Sequence, residues 1–205
     1  MMNYYLELKF LPDDEISINF LWSKIYKQLH LALAGLKDES SKVKIGFSFP
    51  DYRFDPKKGK GFIGEKLRIF GLSEQELVQL DVPTWLSRYL DYVHISSVKL
   101  VPSEKITGYA LYKRKQVKSN AARLARHDER KGRFSYENAL AHYGQFVKTT
   151  DLPYINMLSD STSEDLPLSQ KHAFKIFIEK QPAEKSETQV FSTYGLSSVS
   201  PVPEF

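Results

Sequence analysis

Apolar residues in the first hundred positions switch between strand-like and helix-like spacing, and that succession restricts the fold more than any other feature of the chain. Tyr4, Leu6, Leu8 and Phe10 alternate with polar Glu7 and Lys9, the pattern of a half-buried strand. Pro12, Asp13, Asp14 and Glu15 predict a helix start with acids at the positive end of the dipole. Leu21, Ile25, Leu29, Ala32 and Leu36 then recur at helical spacing to about Gly35. Val43, Ile45, Phe47 and Phe49 alternate again and stop at Pro50. The loop "DYRFDPKKGKGFIG" leads to a third strand, Lys66 to Phe70. Ser73 with Glu76 forms a capping box for a second helix, which runs to about Tyr92 and breaks or kinks at Pro83. A fourth strand is predicted from about His94 to Val101. The order β-α-β-β-α-β predicts an α+β chain whose residues 1–102 are a ferredoxin-like domain, an antiparallel four-stranded sheet with both helices on one face.

After Pro102 the composition shifts, and residues 103–205 read as a second region. It holds a basic stretch, a polar helix from Tyr136 to Lys148, and a Ser/Asp/Pro-rich loop, Asp160 to Lys171, between two strands. The chain has no cysteine, which removes disulfides and thiolate metal sites. None of the five histidines stands at metal-ligand spacing from another, so a metal-dependent nuclease is poorly supported and no cofactor is expected. "MMNYYLELKFLP" does not have the pattern of a signal peptide, and no apolar run approaches the ~20 residues that span a bilayer. The expectation is a cytoplasmic protein without membrane partners.

The stretch "YKRKQVKSNAARLARHDERKGR" carries nine Lys/Arg against two acids. At +7 in a chain of net +4, it leaves the remainder at −3. Ser119 and Asn120 are good N-caps for a helix of about 120–133. On it Arg123, Arg126, Arg130 and Arg133 fall along one stripe, with His127 and Lys131 beside them. Arg114 and Gln116, two apart in an extended segment, point the same way. Arginine pairs bidentately with guanine and glutamine with adenine, while an arginine stripe suits phosphates. The bland reading is a solvated basic face with Asp128 and Glu129 as salt-bridge partners. The uneven charge distribution favours nucleic acid.

His30 sits on the first helix at the border of its apolar face, one turn from Tyr26 and Leu33. It is either a partly buried structural histidine or a general base or acid. RNA suits the second role, because its 2′-OH is a nucleophile built in beside each phosphate. Aligning that hydroxyl in line with the leaving 5′-oxygen needs a proton acceptor or donor and a group to hold the ribose. The products are a 2′,3′-cyclic phosphate and a 5′-OH.

Seven segments now matter together: "YLELKFLP", "KQLHLAL", "IGFSFPDY", "GEKLRIFG", "KRKQVKSN" before an arginine-rich helix, "DLPYINMLSDST" with "FKIFI", and "YGLS" near the terminal "VPEF". In this order, from about Tyr5 to Phe205, the chain resembles the CRISPR-associated endoribonucleases of type I-F systems. The resemblance implies an enzyme that binds the hairpin of the CRISPR repeat and cuts precursor CRISPR RNA once, without metal, at the 3′ base of the stem. It implies retention of the product and assembly with other subunits of the CRISPR effector complex. Carried over by motif, His30 matches the catalytic histidine, Ser159 the serine that positions the ribose, and Tyr194 the tyrosine that orients the histidine. Arg114 and Gln116 match the pair that reads purines at the bottom of the stem. Arg123, Arg126, Arg130 and Lys131 match the phosphate-gripping helix, and Phe174 the aromatic that stacks on the terminal base pair. Lys118, Ser119, Asn120, His127 and Ser161 complete the implied RNA-binding set. His127 stands where the family pattern has an arginine, and the loop between Thr162 and Phe174 is longer than that pattern. A non-catalytic RNA-hairpin binder on the same fold is the alternative, since the basic helix is plainer in the sequence than the catalytic group.

Overall fold

A computed structural model describes residues 2–117, 121–145, 150–159 and 173–205, with Lys60, Ala122 and Arg123 described by their backbone alone. Lys118, Ser119, Asn120 and Ser161, and the 160–171 loop, lie outside the described residues. The chain divides into two compact units: residues 1–114 with 152–205, and residues 115–151.

The first unit begins with β1 (Tyr4–Phe10) and α1 (Ile18–Gly35), followed by β2 (Lys42–Val43), β3 (Gly46–Ser48), β4 (Arg53–Asp55), β5 (Lys60–Phe62) and β6 (Lys66–Gly71). Next come α2 (Glu74–Leu80), α3 (Val82–Trp85), a 3₁₀ turn (Ser87–Tyr92), β7 (Val93–Ile95), β8 (Lys99–Leu100) and β9 (Gly108–Lys115). The main sheet has the order β3-β6-β1-β7, with β8 also on β1, and these pairs are antiparallel. Register places Glu7 opposite Arg68, and Arg68 Nε donates to Glu7 Oε2 at 2.7 Å.

Helix α1 starts later than the acids suggested. Its N-cap is Ser17, whose hydroxyl accepts from Phe20 N. Asp13 instead turns the chain ahead of it, with Oδ1 accepting from the backbone of Glu15 and Ile16. The capping box at Ser73 forms as expected: Ser73 Oγ accepts from Glu76 N, and the Glu76 carboxylate reaches back to Leu72 N. That helix breaks at Asp81, which adopts φ 46°, and Pro83 falls in the first turn of α3, where its missing N–H costs nothing. The expected second and fourth strands are each split. Val43 pairs outside the main sheet, and Ser96 interrupts the last strand, its Oγ accepting from Glu7 N.

After residue 151 the first unit resumes with β10 (Tyr154–Leu158), β11 (Ala173–Ala183), β12 (Phe191–Ser192) and β13 (Val202–Glu204). A second sheet, β10-β11-β9-β13, forms from these strands and β9. The composition shift at Pro102 is therefore not where the units divide. β9, β10, β11 and β13 supply Ala110, Tyr112, Ile155, Met157, Ile176, Ile178 and Val202 to the same apolar cluster as Leu8, Trp22 and Phe47. Trp22 anchors that cluster, tilted at 38° against the Phe10 ring with centroids 4.4 Å apart, and its indole N–H is donated to Gly64 O.

The second unit is a helical hairpin, α4 (Ala121–Arg130) and α5 (Tyr136–Gly144), the latter ending before the expected Lys148. Among the described residues no helix is long and apolar enough to cross a membrane.

Candidate active site

Helix α1 presents Tyr26 and His30 four residues apart, hence on one face. Tyr26 is 0% exposed and His30 half-buried. They meet a tight turn, Ser192 to Gly195, closed by Gly195 N donating to Ser192 O at 2.8 Å. Gly195 has φ +69°, and a Cβ there would lie 2.3 Å from the Phe47 ring. Only glycine meets both demands. Phe47 N donates to Gly195 O at 2.9 Å, which ties the turn to β3.

Hydrogen bonds and stacked rings join helix and turn. The Tyr26 hydroxyl donates to Tyr194 O at 2.7 Å. His30 Nδ1 lies 2.9 Å from Thr193 O. The His30 and Tyr194 rings stack at 4.0 Å and 7°. A carbonyl only accepts, so Nδ1 carries the proton of the neutral imidazole, and the basic lone pair is on Nε2. Burial pushes the Tyr26 phenol well above its ordinary value, with the neighbouring Tyr194 adding to the effect and Arg114 opposing it. Burial also raises Tyr194, against the Arg114 guanidinium. Both phenols therefore stay neutral near pH 7, and Tyr26 remains a donor.

Arg114, near the end of β9, sets its guanidinium 5.3 Å from the Tyr194 ring centre and 5.6 Å from that of Phe174. Phe174 stands opposite Met157 in the β10–β11 ladder. Ser159 directly follows β10, and β10 packs against α1. Among the described residues no group of three or more His, Asp or Glu is placed to hold a metal ion.

In the second unit, α4 ends in a Schellman turn. Gly132 takes φ +66°, Gly132 N donates to Glu129 O and Arg133 N to Asp128 O, each at 3.0 Å. Asp128 is 4% exposed despite its charge. Its Oδ2 accepts from the Tyr143 hydroxyl at 2.6 Å, and Oδ1 faces His127 Nδ1 at 3.5 Å and Arg133 Nη1 at 3.6 Å. The Tyr143 bond, then His127 and Arg133, hold its carboxyl below the usual range against the opposing effect of burial. Arg126, His127, Arg130, Lys131 and Arg133 are exposed.

The profile of the CRISPR-associated protein (Cas_Csy4) family matches residues 5–205. The chain belongs to this family. The Csy4 kinship extends to two relatives described as "CRISPR-associated endonuclease Cas6/Csy4". One, from Escherichia coli (strain UTI89 / UPEC), is 37% identical over 210 residues, covering 100% of both chains. The other, from Pseudomonas aeruginosa (strain UCBPP-PA14), is 32% identical over 206 residues, again covering 100% of both. A solved structure described as "An RAMP protein binding different RNA substrates" covers 99% of both chains at 10% identity, with a TM-score of 0.34, too low to argue from.

Of the residues that the Csy4 resemblance singled out, His30, Tyr194, Arg114 and Phe174 lie in one chain of contacts. Gln116 is exposed just past β9, in the second unit, where Arg126, His127 and Arg130 lie on α4 and Lys131 directly follows it. Two participants escaped sequence reading. Tyr26 carried a signal in its i, i+4 spacing to His30. Thr193 contributes only a backbone carbonyl, which no side-chain pattern announces.

Proposed function

We propose that this chain is a metal-independent endoribonuclease that binds the CRISPR repeat hairpin and cleaves precursor CRISPR RNA at the 3′ base of the stem. His30 Nε2 accepts the proton of the ribose 2′-OH. The O2′–P bond forms as the P–O5′ bond breaks, and the leaving 5′-oxygen takes a proton to become a 5′-OH. The other product is a 2′,3′-cyclic phosphate. Ser159 holds the ribose, and Tyr194 sets the plane of His30 by stacking. Arg114 and Gln116 read purines at the stem base, Phe174 stacks on the terminal pair, and Arg123, Arg126, Arg130 and Lys131 grip phosphates, with Lys118, Ser119, Asn120, His127 and Ser161 around them. The chain keeps its product and joins the effector complex in the cytoplasm. The strand order β3-β6-β1-β7 supports reading residues 1–102 as ferredoxin-like, a scaffold used for many functions.

The observation that carries this reading is the hydrogen bond from His30 Nδ1 to Thr193 O, which points the basic nitrogen away from that backbone acceptor. That tautomer leaves Nε2 as the acceptor a general base requires. Full-length kinship to CRISPR-associated endonucleases supports a cleavage function. The test is cleavage of the repeat hairpin in chelator. Wild type cuts once, His30→Ala binds without cutting, and a 2′-deoxy nucleotide just upstream of the cut blocks reaction but not binding. Binding without cleavage by wild type would favour the non-catalytic hairpin binder.

A further inference from the structure

We propose that Arg114 has a task beyond base reading: it is a positioning residue that braces Tyr194, and through Tyr194 the His30 imidazole, so that seating the stem is coupled to the rate of cleavage. This deepens, and rests on, the proposed reaction at His30.

The backbone of Tyr194 is fixed by the turn and by the Tyr26 hydroxyl, and the direction of its ring is set by the groups that face it. The Tyr26 ring stacks on it at 6.4 Å and 12°. His30 stacks on Tyr194 at 4.0 Å, and Arg114 lies within cation–π range of the same ring at 5.3 Å. The His30 ring, bonded at Nδ1 to Thr193 O, also lies flat on Tyr194 at 7°, so a shift of the Tyr194 ring is passed to the imidazole. The guanidinium in turn rests near a second ring, Phe174 at 5.6 Å, on another strand. Arg114 is therefore oriented before RNA arrives, and a planar, pre-oriented fork loses little freedom on meeting a base edge. The same group would touch both the recognised base and the ring that aligns the base catalyst. A catalytic group displaced by about 1 Å costs about 100-fold in rate. A looser Tyr194 should cost part of that.

Two measurements test this. In the free protein, the His30 ring protons should carry a ring-current shift from Tyr194 that moves toward random-coil values in Arg114→Ala; an unchanged shift overturns the proposal. With the repeat hairpin and saturating protein, Arg114→Ala should slow single-turnover cleavage about 10-fold, part of the cost expected for misplacement. In a Tyr194→Leu background the same change should cost less than about 2-fold, whereas Tyr194→Phe, which keeps the ring, should preserve the full effect. No rate cost at saturation, or equal cost in the wild-type and Tyr194→Leu backgrounds, leaves Arg114 a binding residue only. His30→Ala run alongside separates the two ideas: if it cuts at wild-type rate, the catalytic reading falls and takes this one with it. If it is inactive while the backgrounds are additive, only the coupling fails.

Discussion

Tyr26 shows how much one hydroxyl can organise. It is fully buried, its phenol is kept neutral, and its bond to Tyr194 O links α1 to a turn 168 residues away in the sequence. Tyr26→Phe keeps the ring and strands a carbonyl acceptor, which costs about 1–3 kcal/mol. Urea unfolding should show that loss, and single-turnover cleavage should slow because Thr193 and Tyr194 drift together. An unchanged unfolding midpoint would mean that water satisfies the carbonyl. At this scale the motifs singled out His30 and Tyr194, which the structure brings into contact. It was silent on Thr193, whose side chain is irrelevant to the contact, and on the stacking geometry, which depends on two segments meeting.

Among the elements, the turn that ends in Gly195 tolerates least. Gly195→Ala combines a left-handed φ with a Cβ inside the Phe47 ring, so a loss above the ~1–3 kcal/mol of backbone strain alone is expected. Thermal unfolding checks the stability, and the His30 ring shifts check whether the stack survives; a variant as stable as wild type would show that the turn can rebuild. The α4–α5 hairpin depends on Asp128 in a pH-dependent way. Its carboxyl is held below 3.8 in the folded chain. The unfolded state therefore takes up the proton first, so the stabilisation is complete above about pH 4 and is lost as pH falls through the folded value. Acid titration of Tyr143 fluorescence or NMR shifts should show that loss, and Asp128→Asn should abolish the acid step. A step that persists in Asp128→Asn assigns it to another group. Element boundaries were legible where chemistry is local. Ser73 with Glu76, and Pro83, acted as punctuation. The start of α1 was not legible, because Ser17 competes with three acids for the same cap and only the packing of Leu21 and Trp22 decides between them.

For the whole molecule, the apolar cluster of the first unit takes no residue from 115–151. Replacing residues 116–151 with a flexible Gly/Ser segment should therefore leave a cooperatively folding protein that has lost hairpin affinity. Calorimetry and a binding titration check the two halves of that statement, and a remnant that does not fold would make the helical hairpin part of the folding unit. The division at residue 102 failed as a structural boundary because composition reports solvent exposure along the chain, whereas units are defined by which residues bury one another. β9 is polar enough to resemble a linker, yet its alternate residues Ala110 and Tyr112 enter the common core. Local pattern alone determined the order of the main strands and helices of the first hundred residues and the place of the basic helix. Those follow from spacing, capping and charge, each of which acts within a few residues. Only the tertiary structure decided that β12 and its turn return to α1, that His30 holds its proton on Nδ1, and that Arg114 leans on Tyr194. Such contacts join positions 80 to more than 160 residues apart, and no local rule constrains them until the core brings their segments together.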